Sequence, residues 1–225
     1  MAQKVNPQAC FLVTRSSLTF FSKASDDGVE LSLTSEIVKD LEMISQQALE
    51  RVMSSWMEQI KIPAGQVELI LDKSVFFHTT IHKMPESESD PLVQSFLELV
   101  PFTDVITKSF PIKEGAYLVV INREFLNPLI AVLEKFGFVV VSASPLFILG
   151  TDDLAKTPFT KEMALKAISN YELLAEYSFI APEIVEEKLS APQPFLSVKL
   201  SGKLIAMIAI FAILITVLIV LLVTM

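Results

Sequence analysis

The sequence predicts an α+β domain followed by one C-terminal transmembrane helix, and three observations carry that prediction. Short β-branched and aromatic runs alternate with stretches of helical period over residues 1–150. Asp-Gly and Lys-Glu-Gly steps punctuate those runs, and an uncharged apolar run lies at the C-terminal end.

Residues Ala9 to Leu33 read as three strands, ACFLVT, SLTFFSK and VELSL, with Ser25-Asp26-Asp27-Gly28 turning the chain between the last two. From Ser35 to Ile60 the period becomes helical: Ile37, Leu41, Ile44, Ala48, Val52, Trp56 and Ile60 recur every three or four residues. Val38, Leu49, Met53 and Met57 widen that stripe, so one long amphipathic helix is expected, stopped by Ile62-Pro63-Ala64-Gly65. QVELIL and SVFFHTTIH, separated by Asp72-Lys73, are expected to form a second hairpin. Ser89 or Asp90 caps a short helix from Pro91 to Leu99, with proline in its favoured first-turn position. DVITKSFPI and AYLVVI, joined by Lys113-Glu114-Gly115, make a third hairpin.

Asn122 then offers an N-cap for a helix that ends at Lys135-Phe136 with Gly137 as its C-cap, and FVVVSA follows as a strand. Pro128 leaves two readings: the helix kinks there, or it begins with Asn127 as cap. A further helical pattern, Met163, Ala167, Ile168, Tyr171, Leu174 and Ala175, packs on the domain or on a partner. The expected organisation is an α+β domain over 1–150, a helical segment and Pro-containing juxtamembrane linker over 151–202, and a transmembrane segment over 203–225.

The transmembrane reading rests on Leu204 to Val223, twenty residues without charge, Gly or Pro, in which Thr216 is the single polar side chain. At ~1.5 Å per residue this spans roughly 30 Å, a hydrocarbon core, with the backbone satisfied internally. Lys188, Lys199 and Lys203 flank its N-terminal side, while Thr224 and Met225 follow it uncharged. The positive-inside bias therefore places the preceding domain in the cytoplasm, and MAQKVNPQACFLV lacks the apolar core and cleavage site of a signal peptide. The expected location is the cytoplasmic membrane, single-pass. Within the span, Ala206, Ala209, Ala212 and Thr216 recur at spacings of three and four and form a candidate helix-packing stripe.

The formal charge of −8 lies wholly upstream of Leu204, which argues against nucleic acid and against broad adhesion to anionic lipid. A lone cysteine, Cys10, forms no internal disulfide and reads as a small buried hydrophobe. His78 and His82 are the two histidines; in a strand they share a face about 13 Å apart, too far for one metal ion. Pro85 to Asp90 lacks the spacing of a calcium loop, and the six glycines build neither GxxxxGK[ST] nor GxGxxG. The sequence therefore assigns no catalytic, cofactor-binding or metal-binding residue.

One stretch carries a family resemblance. Ala116 to Leu149, AYLVVINREFLNPLIAVLEKFGFVVVSASPLFIL, resembles the cytoplasmic actin-like proteins of type IV pilus and type II secretion assembly, the PilM and GspL type. The matching features are the Asn122-Arg123-Glu124 step, Gly137 and Pro145, preceded by the VELIL-type strand and by Val100-Pro101-Phe102 before Asp104-Val105. The resemblance covers roughly Phe11 to Gly150, the N-terminal part of such proteins. It implies a truncated actin-like domain and an assembly role. Where the family opens with an Asp-x-Gly-Ser phosphate loop, this chain has Thr14-Arg15-Ser16-Ser17, so no ATP site is carried over.

The leading expectation is a non-enzymatic, membrane-anchored scaffold subunit of a type IV pilus or type II secretion-like machine. Its partners would be inner-membrane assembly proteins and membrane lipid, with a second copy of the chain as a further candidate. Binding would use exposed strand edges and the Thr160 to Ile180 helix. The alternatives are a nucleotide-responsive switch whose cleft a partner chain completes, and a tail-anchored adaptor unrelated to pili.

Overall fold

The computed structural model describes residues 7–24, 27–60, 64–85, 87, 89–150 and 159–180. Leu204 to Val223 and the Ala206, Ala209, Ala212 and Thr216 stripe lie outside them. Among the described residues no helix is long and apolar enough to cross a membrane.

The three opening strands form as the sequence predicts: β1 (Ala9–Val13), β2 (Ser17–Ser22) and β3 (Val29–Ser32) make an antiparallel meander. The long helix does not. Ser35 to Ser45 instead folds into a turn and a two-stranded ribbon, β4 (Val38–Lys39) and β5 (Glu42–Met43), and α1 runs only from Gln46 to Ile60. Ile37, Val38 and Leu41 reach the core from this ribbon, so their helical spacing is a coincidence of a compact turn. Ser45 marks the true helix start, its Oγ accepting from the Ala48 amide at 3.1 Å. The buried face of α1 is Leu49, Met53 and Trp56, whereas Val52 and Ile44 of the expected stripe are exposed.

β6 (Gln66–Leu71) pairs in parallel with β1 rather than with the strand that follows it. The expected second hairpin is absent because Lys73–Val75 winds into one 3-10 turn, with the Asp72 carboxylate accepting from the Ser74 amide at 2.8 Å. That turn carries the chain out of the first sheet. β7 (Phe77–Ile81), β8 (Val105–Ile112) and β9 (Gly115–Asn122) build a separate antiparallel sheet in the order β7-β9-β8, with α2 (Pro91–Leu97) against one face. Asp90 caps α2 by accepting from the Leu92 amide. Gly115 closes the β8–β9 hairpin at φ +110°, where an added Cβ would lie 1.8 Å from the Ile81 carbonyl oxygen.

α3 (Arg123–Lys135) starts at Asn122 and tolerates Pro128 within its second turn, which decides between the two readings of that helix. Gly137, at φ +86°, ends it. β10 (Val139–Pro145) then joins β6 in parallel and completes a five-stranded sheet of order β10-β6-β1-β2-β3. α1 and α3 cover one face over Phe11, Val13, Phe20, Leu69 and Phe138. Phe11 stands edge-on to Phe138 at 5.2 Å. The helical pattern after Gly150 becomes α4 (Lys161–Ser169) and α5 (Tyr171–Glu176), broken at Asn170, and their apolar sides cover the opposite face over Cys10, Phe21 and Ile70. The central strands are thus buried on both faces, which accounts for the near-continuous apolar run in QVELIL.

Candidate functional site

Two features stand out where the sheets and the α4–α5 cap meet. The first is a groove of about 830 Å³ between the β8–β9 hairpin and α5. Register sets its floor. Phe110 on β8 pairs with Tyr117 on β9, so both rings stand on the sheet face opposite α2. Phe147, from the 3-10 turn after β10, meets Phe110 at 5.2 Å and Tyr117 at 5.6 Å, both edge-to-face. Tyr177 packs against Phe110 at 5.9 Å and, with Leu173, forms the far wall. Ile112, Lys113 and Glu114 form the hairpin end. Such edge-to-face aromatics fix one another, giving a rigid apolar base with polar tips.

β8 is an edge strand among the described residues, and Pro111 within it is a residue that edges accommodate. Lys108, one row along from Phe110, donates from Nζ to the backbone carbonyls of Glu176 at 2.9 Å and Ser178 at 2.8 Å. It thereby satisfies carbonyls at the C-terminal end of α5. Burial lowers the Lys108 pKa from its usual range, and Glu176 opposes that shift. The Phe179 amide donates to the Ala143 carbonyl at 2.8 Å, and the Ala143 amide donates to Ser178 Oγ at 2.9 Å, so the exit of α5 lies along the β10 edge. The β8 edge and the end of α5 thus lie side by side.

The second feature is a row of polar side chains inside the five-stranded sheet. Cys10 on β1, Glu68 on β6 and Ser142 on β10 are register partners on three adjacent parallel strands, on the face that α4 and α5 cover. All three are 0% exposed. Among the described residues neither carboxyl oxygen of Glu68 nor the Ser142 hydroxyl has a hydrogen-bond partner. Burial alone pushes the Glu68 acid up to about 8, and burial reinforced by Glu68 drives the Cys10 thiol higher still above its ordinary value.

The turn between β1 and β2 is Thr14–Ser17. Thr14 Oγ1 accepts from the amides of Ser16 at 3.3 Å and Ser17 at 2.9 Å, while the Arg15 amide donates to Ser74 Oγ at 3.1 Å. Each backbone donor that would cradle a phosphate is therefore already engaged. The Arg15 guanidinium bonds Asp40 at 2.8 Å, an exposed pair of small energetic weight. His78 lies in β7 and His82 beyond its end. The His78 ring stands edge-on to Tyr117, and its pKa is lowered by burial and by Lys73. Among the described residues no cluster of metal-ligating side chains occurs.

No protein-family model and no curated protein matches the chain. Among solved structures it is similar to the PilM-PilN type IV pilus biogenesis complex, at 16% identity and a TM-score of 0.45, covering 64% of this chain and 49% of that one. It is also similar to the cytoplasmic domain of EpsL, an inner-membrane component of the type II secretion system of Vibrio cholerae, at 15% identity and a TM-score of 0.39, covering 67% and 59%. Both neighbours are pilus or secretion assembly components. The chain spans about half the length of those it matches.

The sequence singled out neither the groove nor the buried row. The aromatic residues of the groove are scattered over Phe110, Tyr117, Phe147 and Tyr177, and no local motif unites them. Glu68 did carry a signal: an acid in the middle of an apolar strand, which becomes informative once that strand is recognised as central.

Proposed function

We propose that this chain is a non-enzymatic, membrane-anchored scaffold subunit of a type IV pilus or type II secretion-like machine. Its groove receives an extended apolar segment of an inner-membrane assembly partner. The observation that carries the reading is the groove itself: a rigid aromatic floor beside a strand edge, walled by an amphipathic helix whose Leu173 is 42% exposed. An extended segment laid along β8 would direct alternate side chains onto Phe110, Tyr117 and Phe147, the arrangement strand addition uses for specificity. The engaged amides of the Thr14–Ser17 turn support a binding role over nucleotide chemistry.

In this reading Leu204 to Val223 holds the domain at the cytoplasmic face, and Ala206, Ala209, Ala212 and Thr216 pack against a partner helix in the bilayer. The test is co-purification of the tagged full chain from solubilised membranes, comparing wild type with Leu173→Asp and with Tyr117→Ala plus Tyr177→Ala. Recovery of pilus or secretion subunits with wild type, and a tenfold or greater loss with the groove variants, is expected. Equal recovery with intact and altered grooves would remove the groove from the account.

A further inference from the structure

The Cys10–Glu68–Ser142 row has no part in docking, yet it lies beneath the element that forms one wall of the groove. We propose that Glu68 is a proton-dependent fastening for the α4–α5 cap: the cap stays seated while the acid keeps its proton, and ionisation loosens α4 and α5 together with the groove wall.

Geometry carries this. α4 lies over β1, β2 and β6 and α5 over β10, so Glu68 on β6 sits at the seam between the two helices. The residues that the cap turns inward are Ala164, Ala167, Ile168 and Leu174, none of whose side chains offers a charge or a hydrogen bond. Its charged and titratable groups lie elsewhere. Glu162 is exposed and Lys161 only partly buried on α4, and Lys166 donates to the Leu149 carbonyl. Tyr171 pairs with Glu172, and Glu176 is exposed at the end of α5. On the sheet, Cys10 flanks Glu68 on one side and Ser142 on the other, while Glu30 on β3 is three strands away and exposed.

Among the described residues a carboxylate formed in this seam meets no cation, so it gains solvent by parting the cap from the sheet. The bonds that would then yield include those at the end of α5. Ser144 Oγ donates to the Leu174 carbonyl at 2.6 Å, and Lys108 and Ser178 hold the end of α5. The consequence for docking rests on the groove reading above; the loosening of the cap does not.

The test is hydrogen exchange with peptide-level mass readout on the full chain in mild detergent, at pH 6 and pH 8. Rates are corrected for intrinsic pH dependence, and wild type is compared with Glu68→Gln. With the acid at about 8 in the closed form and at its ordinary 4.5 once solvated, the cap-opening equilibrium rises by up to roughly 50-fold between those pH values. The expected result is a fall in protection of that order over Lys161–Ile180, none over α1 and α3, and a flat profile in Glu68→Gln. Equal protection at both pH values in wild type, the same fall in the variant, or a uniform loss across the domain would overturn the proposal. If Glu68→Gln does not fold, a carbon-13 carboxyl titration of wild type decides: a Glu68 midpoint near 4.5 refutes the fastening and one near 8 supports it. Co-purification and exchange fail independently, so a lost partner and an unresponsive cap are told apart.

Discussion

Asn122 joins α3 to the β4–β5 ribbon, and its replacement by alanine tests how the two are held. The residue is 2% exposed; Oδ1 accepts from the Glu124 amide at 2.9 Å and Nδ2 donates to the Leu41 carbonyl at 2.9 Å. The first bond is an N-cap, whose loss costs about 1 kcal/mol. The second satisfies a carbonyl in a turn where Asp40 and Leu41 both have positive φ, 51° and 64°. Leaving a buried carbonyl without a donor costs about 1–3 kcal/mol. Asn122→Ala should therefore lose about 2–4 kcal/mol in urea denaturation of the full chain, followed by fluorescence of the buried Trp56. Asn122→Asp separates the two bonds. It keeps the cap but sets a carboxylate against the Leu41 carbonyl, so it should lose as much at pH 7 and recover part of the loss, relative to wild type, near pH 4, where a protonated acid donates. A loss within about 0.5 kcal/mol of zero for Asn122→Ala, or a wild-type-like Asn122→Asp at pH 7, would refute this division of labour.

Three further outcomes follow from the same contacts. Glu68→Gln should stabilise the chain more at high pH than at low. The native acid at about 8 and the unfolded acid at 4.5 make wild-type stability fall as pH rises through that window, by about 1.4 kcal/mol per unit and about 5 kcal/mol in all, so parallel wild-type and Glu68→Gln curves from pH 5 to 8 would contradict the burial account. Lys108→Met should speed hydrogen exchange at the C-terminal end of α5 and leave α3 unchanged, since both of its described bonds go to carbonyls at and just beyond that helix. Gly115→Ala should abolish folding or cost more than about 3 kcal/mol, because a methyl group cannot share space with the Ile81 carbonyl; near-wild-type melting would mean that the hairpin relaxes freely.

The sequence showed the elements with local chemistry and missed those set by distant pairing. Asp90, Asn122 and Gly137 cap or end their helices as read, because capping is a contact between near neighbours. The long helix failed at Asp40-Leu41, a two-residue turn with two left-handed residues and neither Asn nor Gly at its second position. Asn122, 81 residues away in sequence, supports that turn, and no local window contains the pair. The β6–β7 hairpin failed for a related reason: a fully buried run pairs with whatever the topology brings, here β1 and β10. The groove was legible only as a general expectation about edges and the last helix, since its rings come from four separate elements.

The way the domain holds residues 176–180 also has a mechanical meaning. Tension applied at Ile180 is resisted within these residues. It meets the Ile180 amide on Ser178 Oγ, the Phe179 amide on the Ala143 carbonyl of β10, and the Lys108 ammonium of β8 on the Ser178 carbonyl. The load is divided between the edges of two sheets and the buried side chains of Phe179 and Ile180. An anchorage of that kind would resist a pull with hydrogen bonds and core contacts together.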